Sequence, residues 1–265
     1  MNLAKRLSVA LIGIPVILWV FYTGALPLLI FGGLLSALLS WELFRMFQTN
    51  GKFPNVLAIP FSILGYLAIS LLGWQYLPVV LFPFIIIIFT NRLLRNTIDE
   101  SICSISFSFF IFIYAGILPA SMIRITQIDN GNWLLILILV LTWITDSFAY
   151  FIGMTLGKHR GVFPVSPKKS IEGFVAGIIF SLLAVLLIRV LKKDLFTLTQ
   201  LIAAALTTGV VGQLGDLMES LIKRDMKVKD SSNLIPGHGG VLDRFDSFLI
   251  SVAMLYVIMF LLNYI

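Results

Sequence analysis

The chain has 265 residues, 59% of them hydrophobic and 12% charged, with 22 phenylalanines and a net charge of +6; its mean hydropathy is +1.01. A soluble globular domain is nearer half apolar and a quarter charged, so the composition excludes that class and points to a chain that crosses a bilayer repeatedly. Its positive balance fits basic cytoplasmic loops, and no strand-rich module or aromatic platform for nucleic acid accompanies it.

About 20 apolar residues span the hydrocarbon core. That length predicts nine helices, near residues 7–23, 26–47, 54–72, 74–90, 102–123, 131–152, 171–191, 198–222 and 244–264, an all-α polytopic integral membrane helix bundle. The first follows MNLAKR, basic residues ahead of an apolar run as in a signal sequence. The run is long and no small-residue cleavage site follows it, so it reads as a retained helix. The pair 54–72 and 74–90 divides at Gly73. Up to residue 100 the helices carry few polar groups. Glu42 is the exception, and Arg45 three residues on would make a local ion pair with it.

The next run is apolar too and holds the single cysteine, Cys103, which has no partner for an intrachain disulfide. The chain thus divides into N-terminal transmembrane helices (1–100) and a catalytic half (101–265) with two polar loops, 153–170 and 223–243. With the N-terminus in the cytoplasm, alternation puts fifteen Lys and Arg inside, both polar loops among them, against Arg124, Arg189, Lys192 and Lys193 outside.

The acids inside the later helices carry the chemistry. Asp146, in TDSFAYFIG, shares a helical face with Tyr150 and Gly153 and either supports a polar cavity or accepts from a lysine. In the following loop, Lys168 and Lys169 precede a helix N-terminus, which is good anion-binding chemistry. Positive-inside bias explains them as well, with Ser170 as N-cap and Glu172 in the first turn.

Asp216 lies in LTTGVVGQLGDLMESLIKR, on a polar stripe with Gln213, Ser220 and Lys223. A carboxylate inside a spanning helix costs about 2.5–3.5 kcal/mol, so it needs a partner. Gly209, Gly212 and Gly215 beside it leave room for a second helix or a ligand. Asp243 and Asp246, three apart at the start of the last helix, repel each other unless a cation lies between them or one is protonated. Acids are also common at helix N-termini for electrostatic reasons alone. Convergence of these two with Asp216 would make a set of hard oxygen ligands suited to Mg²⁺. The connecting segment brings Lys223, Arg224, Lys227 and Lys229, then the tight stretch Pro236 to Gly240, with Asp230 and Asp243 flanking it. Cations for phosphates, acids for a metal and a glycine-rich approach suit nucleotidyl transfer.

Ser220, Lys223-Arg224, Lys229-Asp230, Pro236, His238-Gly239-Gly240, Asp243-Arg244 and Asp246 form a signature. On it the sequence resembles the phosphatidate cytidylyltransferases, or CDP-diacylglycerol synthases. TDSFAYFIG and SPKKSIEG look like the same family, so the resemblance covers residues 142–247.

It implies transfer of the cytidylyl group of CTP to phosphatidic acid with Mg²⁺, giving CDP-diacylglycerol and pyrophosphate. The expected metal ligands are Asp216, Asp243 and Asp246, with space for a second cation in the same cluster. Lys168, Lys223 and Arg224 are expected to act with them in catalysis. Asp146, Lys169, Ser170, Ser220, Lys229, Asp230, His238, Gly239, Gly240 and Arg244 are expected, with those three, to bind substrate. Length and the lack of a targeting extension point to a bacterial inner membrane with the site facing the cytoplasm; membrane lipids are partners, nucleic acid is not, and a homodimer is allowed. Two other readings are a CTP-dependent lipid kinase, which shares some of these features, and a cation-coupled transporter. The transporter requires a counterpart of Asp216 in the first half, where Glu42 alone is available.

Overall fold

A computed structural model describes residues 3–95, 98–235, 237 and 239–264. Pro236 and His238, expected in the nucleotide loop, and the side chains of Lys5 and Arg6 lie outside what is described. The described residues form helices and no strand, apart from isolated bridges at Arg160–Ser170 and Ile235–Gly239. The helices in chain order are α1 (Leu3–Thr23), α2 (Ala25–Thr49), α3 (Ala58–Leu72), α4 (Trp74–Leu93), α5 (Ser101–Ile125), α6 (Gly131–Thr155), α7 (Ile171–Leu191), α8 (Leu198–Asp225) and α9 (Leu242–Leu261). Among the described residues seven of them are long and apolar enough to cross a membrane; Leu11–Thr23, within α1, and Ala58–Leu72 are shorter apolar stretches. Of the nine expected crossings, seven correspond, among the described residues, to helices both long and apolar enough to span.

Local chemistry sets the breaks. Gly73 adopts φ 110°, a conformation that side-chain-bearing residues rarely take, and it divides α3 from α4 as expected. Ser170 caps α7 by accepting from the backbone N–H of Gly173 at 3.1 Å. Thr197 and Gln200 form a capping box at the start of α8. Three helices contain a π-helical turn: Ala68–Leu72 in α3, Phe112–Ile117 in α5 and Thr207–Gly212 in α8. Such turns rotate the side chains that follow and often occur at functional sites.

The core is continuous across the division at residue 100. It joins Leu35, Leu39 and Leu43 of α2 to Phe112 of α5, to Leu137, Ile138 and Leu141 of α6, and to Phe248 and Leu255 of α9. Exposure separates the helices: 61% of the spanning window of α8 is buried, against 22% in α7 and 11% in α4. α8 is therefore the centre of the second half, and its glycines explain how. A Cβ at Gly209 would lie 2.6 Å from Ser181 Oγ of α7, and one at Gly212 2.6 Å from Ser251 Oγ of α9. The room these glycines leave is taken by neighbouring helices rather than by a ligand.

The loops gather at two ends. Arg224 Nε reaches the carbonyl of Val165 at 3.5 Å, which brings the segments 153–170 and 223–243 together. At the other end Asn130 Nδ2 donates to Leu195 O at 3.0 Å, and the hydroxyls of Thr197 and Tyr264 lie 3.2 Å apart.

Candidate active site

The site lies at the end of the bundle where the two polar loops meet. Asp216 follows the π-helical turn of α8 by one helical turn, Glu219 lies three residues further on, and Asp246 stands in the first turns of α9. One ligand oxygen from each of these three lies within 4.8 Å of the others. Gly215 allows the approach, since a Cβ there would sit 3.2 Å from the carbonyl of Asp246. Glu219 is fully buried. Lys223 Nζ lies 2.5 Å from its Oε2, yet neither carboxylate oxygen accepts a hydrogen bond of good direction. Buried carboxylate oxygens left in this state, in a set of hard donors, fit a divalent cation.

Asp243, expected as the third ligand, has other partners. Its Oδ1 lies 2.6 Å from Lys223 Nζ, and its Oδ2 accepts from Ser231 N at 2.9 Å, Ser231 Oγ at 3.0 Å and Gly240 N at 2.7 Å. The three-residue spacing that puts Asp243 and Asp246 on one face also puts them nearly one turn apart in depth, so they reach different surroundings. Glu219, not singled out in the sequence, stands in the cluster instead. It was legible as an acid three residues after Asp216 and four before Lys223, the spacing of a same-face pair.

Lys223 consequently sits between two carboxylates, Glu219 and Asp243, and not in an open phosphate site. Lys169 makes an ion pair with Asp216. Beside that pair lies a cleft of about 350 Å³, walled by Lys168, Lys169, Asp146 and Asp216 on its polar side and by Tyr150 and Met154 on its apolar side. Ser170, Gly173 and Gln213 also line it. The Gln213 amide is held by the carbonyls of Phe174, at 3.0 Å, and Gly209. Tyr150 and Met154 are 64% and 51% exposed on a helix long and apolar enough to span, so the cleft has a polar wall and an exposed, largely apolar one.

The remaining expected residues divide. Gly239 and Gly240 belong to the segment that closes over α9. A Cβ at Gly240 would lie 1.9 Å from Ser231 Oγ and 2.7 Å from Glu42 Oε1, so only glycine fits there. Lys229, Asp230 and Arg224 are exposed, and Arg224 makes its contacts with backbone carbonyls of Val165 and Val228. Arg244 is exposed at the start of α9, and Ser220 is half-buried one residue beyond Glu219.

Glu42 departs from its expected role. It is fully buried, and Arg45 lies over the Trp41 ring, 5.3 Å from its centroid. The Glu42 carboxylate accepts from Ser232 Oγ at 2.5 Å, Ser231 Oγ at 3.1 Å, and the backbone N–H groups of Val241 at 2.9 Å and Leu242 at 2.8 Å. A helix N-terminus offers unsatisfied N–H groups and partial positive charge, and a carboxylate from α2 satisfies both for α9.

Residues 4–262 match the family model described as the cytidylyltransferase family. The chain is 32% identical to the phosphatidate cytidylyltransferase of Bacillus subtilis, covering 99% of each chain. It is 33% identical to that of Staphylococcus saprophyticus and 32% identical to that of Staphylococcus aureus, covering 96% of this chain and 98% of each relative. With a carboxylate cluster and a basic cleft at one end of an apolar helix bundle, this chain belongs to the cytidylyltransferase family.

Proposed function

We propose that the protein transfers the cytidylyl group of CTP to phosphatidic acid, releasing pyrophosphate, at the cytoplasmic end of the bundle. The observation that carries this reading is the placement of Asp216, which belongs both to the acid cluster and to the cleft with an exposed, largely apolar wall. A lipid phosphate can enter from the apolar side while its acyl chains stay beside Tyr150 and Met154. CTP would arrive from the loop side, where Arg224, Lys229 and Arg244 are exposed.

Asp216, Glu219 and Asp246 would hold the cation. Mg²⁺ supplies neutralisation of phosphate charge there and keeps waters of its own. Lys168 and Lys169 draw the two anionic substrates together, beside the partial positive charge of the α7 N-terminus. In this reading Lys169 exchanges Asp216 for a phosphate oxygen when substrate arrives. Lys223 balances Glu219 and Asp243, and so keeps the acids from repelling one another when the cleft is empty of phosphate. A phosphate oxygen of phosphatidic acid attacks the α-phosphorus of CTP; the bond from that phosphorus to the bridging oxygen breaks, and pyrophosphate leaves with the electron pair. The nucleophile is already an anion, so no activated serine or cysteine is required, and rate enhancement comes from positioning and charge stabilisation. Catalysis would reside in residues 101–265, with Glu42 the contribution of the first hundred residues to loop geometry.

The test is purified protein with phosphatidic acid, Mg²⁺ and α-labelled CTP. Label in the lipid product and release of pyrophosphate are expected; release of CDP with phosphorylated lipid would mark a kinase instead. Asp216→Asn, Glu219→Gln and Asp246→Asn should each lower turnover about a hundredfold or more while the protein stays folded.

A further inference from the structure

Tyr114 lies in the π-helical turn of α5, on a helix that contributes none of the acids described above. Its side chain is stacked on Phe110, with ring centroids 5.6 Å apart, and the residue is 4% exposed. Its hydroxyl is buried and makes no hydrogen bond among the described residues. It is near enough to Asp246, Glu219 and Asp216 to interact electrostatically with all three. A phenol buried without a partner costs about 1–3 kcal/mol, and phenylalanine would fill the same ring site without that cost. The charged groups that act on the hydroxyl are the three carboxylates of the cluster, and it bonds none of them directly.

A buried hydroxyl without a protein partner, within electrostatic reach of three acids, suits a hydrated ion, because Mg²⁺ retains several waters when held by a few carboxylates. We propose that Tyr114 is a positioning residue for the cation site, its hydroxyl hydrogen-bonding a water of the ion held by Asp216, Glu219 and Asp246. The inference rests on the cation site proposed above. It makes α5 the third wall of that site, alongside α8 and α9. Outer-shell partners of this kind typically change metal affinity by about 10–100-fold.

The experiment titrates Mn²⁺ into detergent-solubilised protein, follows free Mn²⁺ by electron paramagnetic resonance, and measures thermal unfolding without metal. Tyr114→Phe should bind Mn²⁺ about tenfold more weakly while its metal-free unfolding midpoint is equal to or above that of the wild type. Asp246→Asn, with Glu219→Gln as the alternative should it not fold, should lose binding. Unchanged affinity in Tyr114→Phe, with binding lost in the carboxylate variant, overturns the role of Tyr114 and leaves the cation site standing. Wild-type affinity in the carboxylate variant overturns the cation site, and the role of Tyr114 with it. A lowered metal-free midpoint with unchanged affinity assigns the tyrosine to packing alone and also overturns the proposal.

Discussion

Lys223 is half of two ion pairs, 2.5 Å from Glu219 and 2.6 Å from Asp243, with its own side chain 14% exposed. Removing one member of a buried pair leaves an uncompensated charge and costs about 3–5 kcal/mol. Lys223→Met should therefore lower the thermal midpoint markedly, and adding Glu219→Gln should restore part of the loss by removing one of the stranded charges. A single variant as stable as the wild type would show that the pairs do not hold the loop. In the sequence Lys223 reads as a phosphate ligand because its neighbours are basic. Only the fold shows that Asp243, twenty residues away, occupies its ammonium. Glu42 was visible as an intramembrane acid, but its true partners, the N–H groups of Val241 and Leu242, lie about two hundred residues downstream, where no local spacing rule reaches.

At the scale of helices, the site depends on how closely α9 approaches α8. Gly212 faces Ser251 Oγ, and Gly215 faces the carbonyl of Asp246 and Ile250. A larger side chain forces the helices apart, and overpacking of this kind costs about 1–3 kcal/mol. Gly212→Leu should lower both stability and turnover, since it moves Asp246 away from Asp216 and Glu219. Gly13→Ala, at a position with open space around the new methyl, is the control and should change neither. Circular dichroism melts paired with the labelled-CTP assay read both effects; a Gly212→Leu protein with normal turnover would show that the helix separation tolerates change. The small-residue stripe was legible in the sequence, while its use for packing, not ligand entry, depended on which helix arrived.

For the whole molecule, the polar loops 153–170 and 223–243 meet at one end, and the segments around Asn130, Leu195 and Tyr264 meet at the other. The excess of Lys and Arg at the first end is the ground for proposing that this end faces the cytoplasm. With Cys103→Ser as background, Asn233→Cys, at an exposed position of the second polar loop, should resist a membrane-impermeant maleimide in intact cells and react after permeabilisation, whereas Lys193→Cys should react in both. The opposite pattern would invert the orientation and place the cleft out of reach of cytosolic CTP.

Composition and apolar run lengths by themselves determined an all-helical membrane bundle, because each spanning segment must satisfy its backbone internally. The signature from Ser220 to Asp246 determined the family, since it preserves residue types at fixed spacing. Which acids meet was decided by tertiary structure alone. Asp216, Glu219 and Asp246 converge because the glycines of α8 let α9 pack closely against it, and Asp243 turns away because Lys223, Ser231 and Gly240 are there to receive it. Charge alone could not choose among these acids, because electrostatic pairing depends on distance, and distance between separate helices is set by packing.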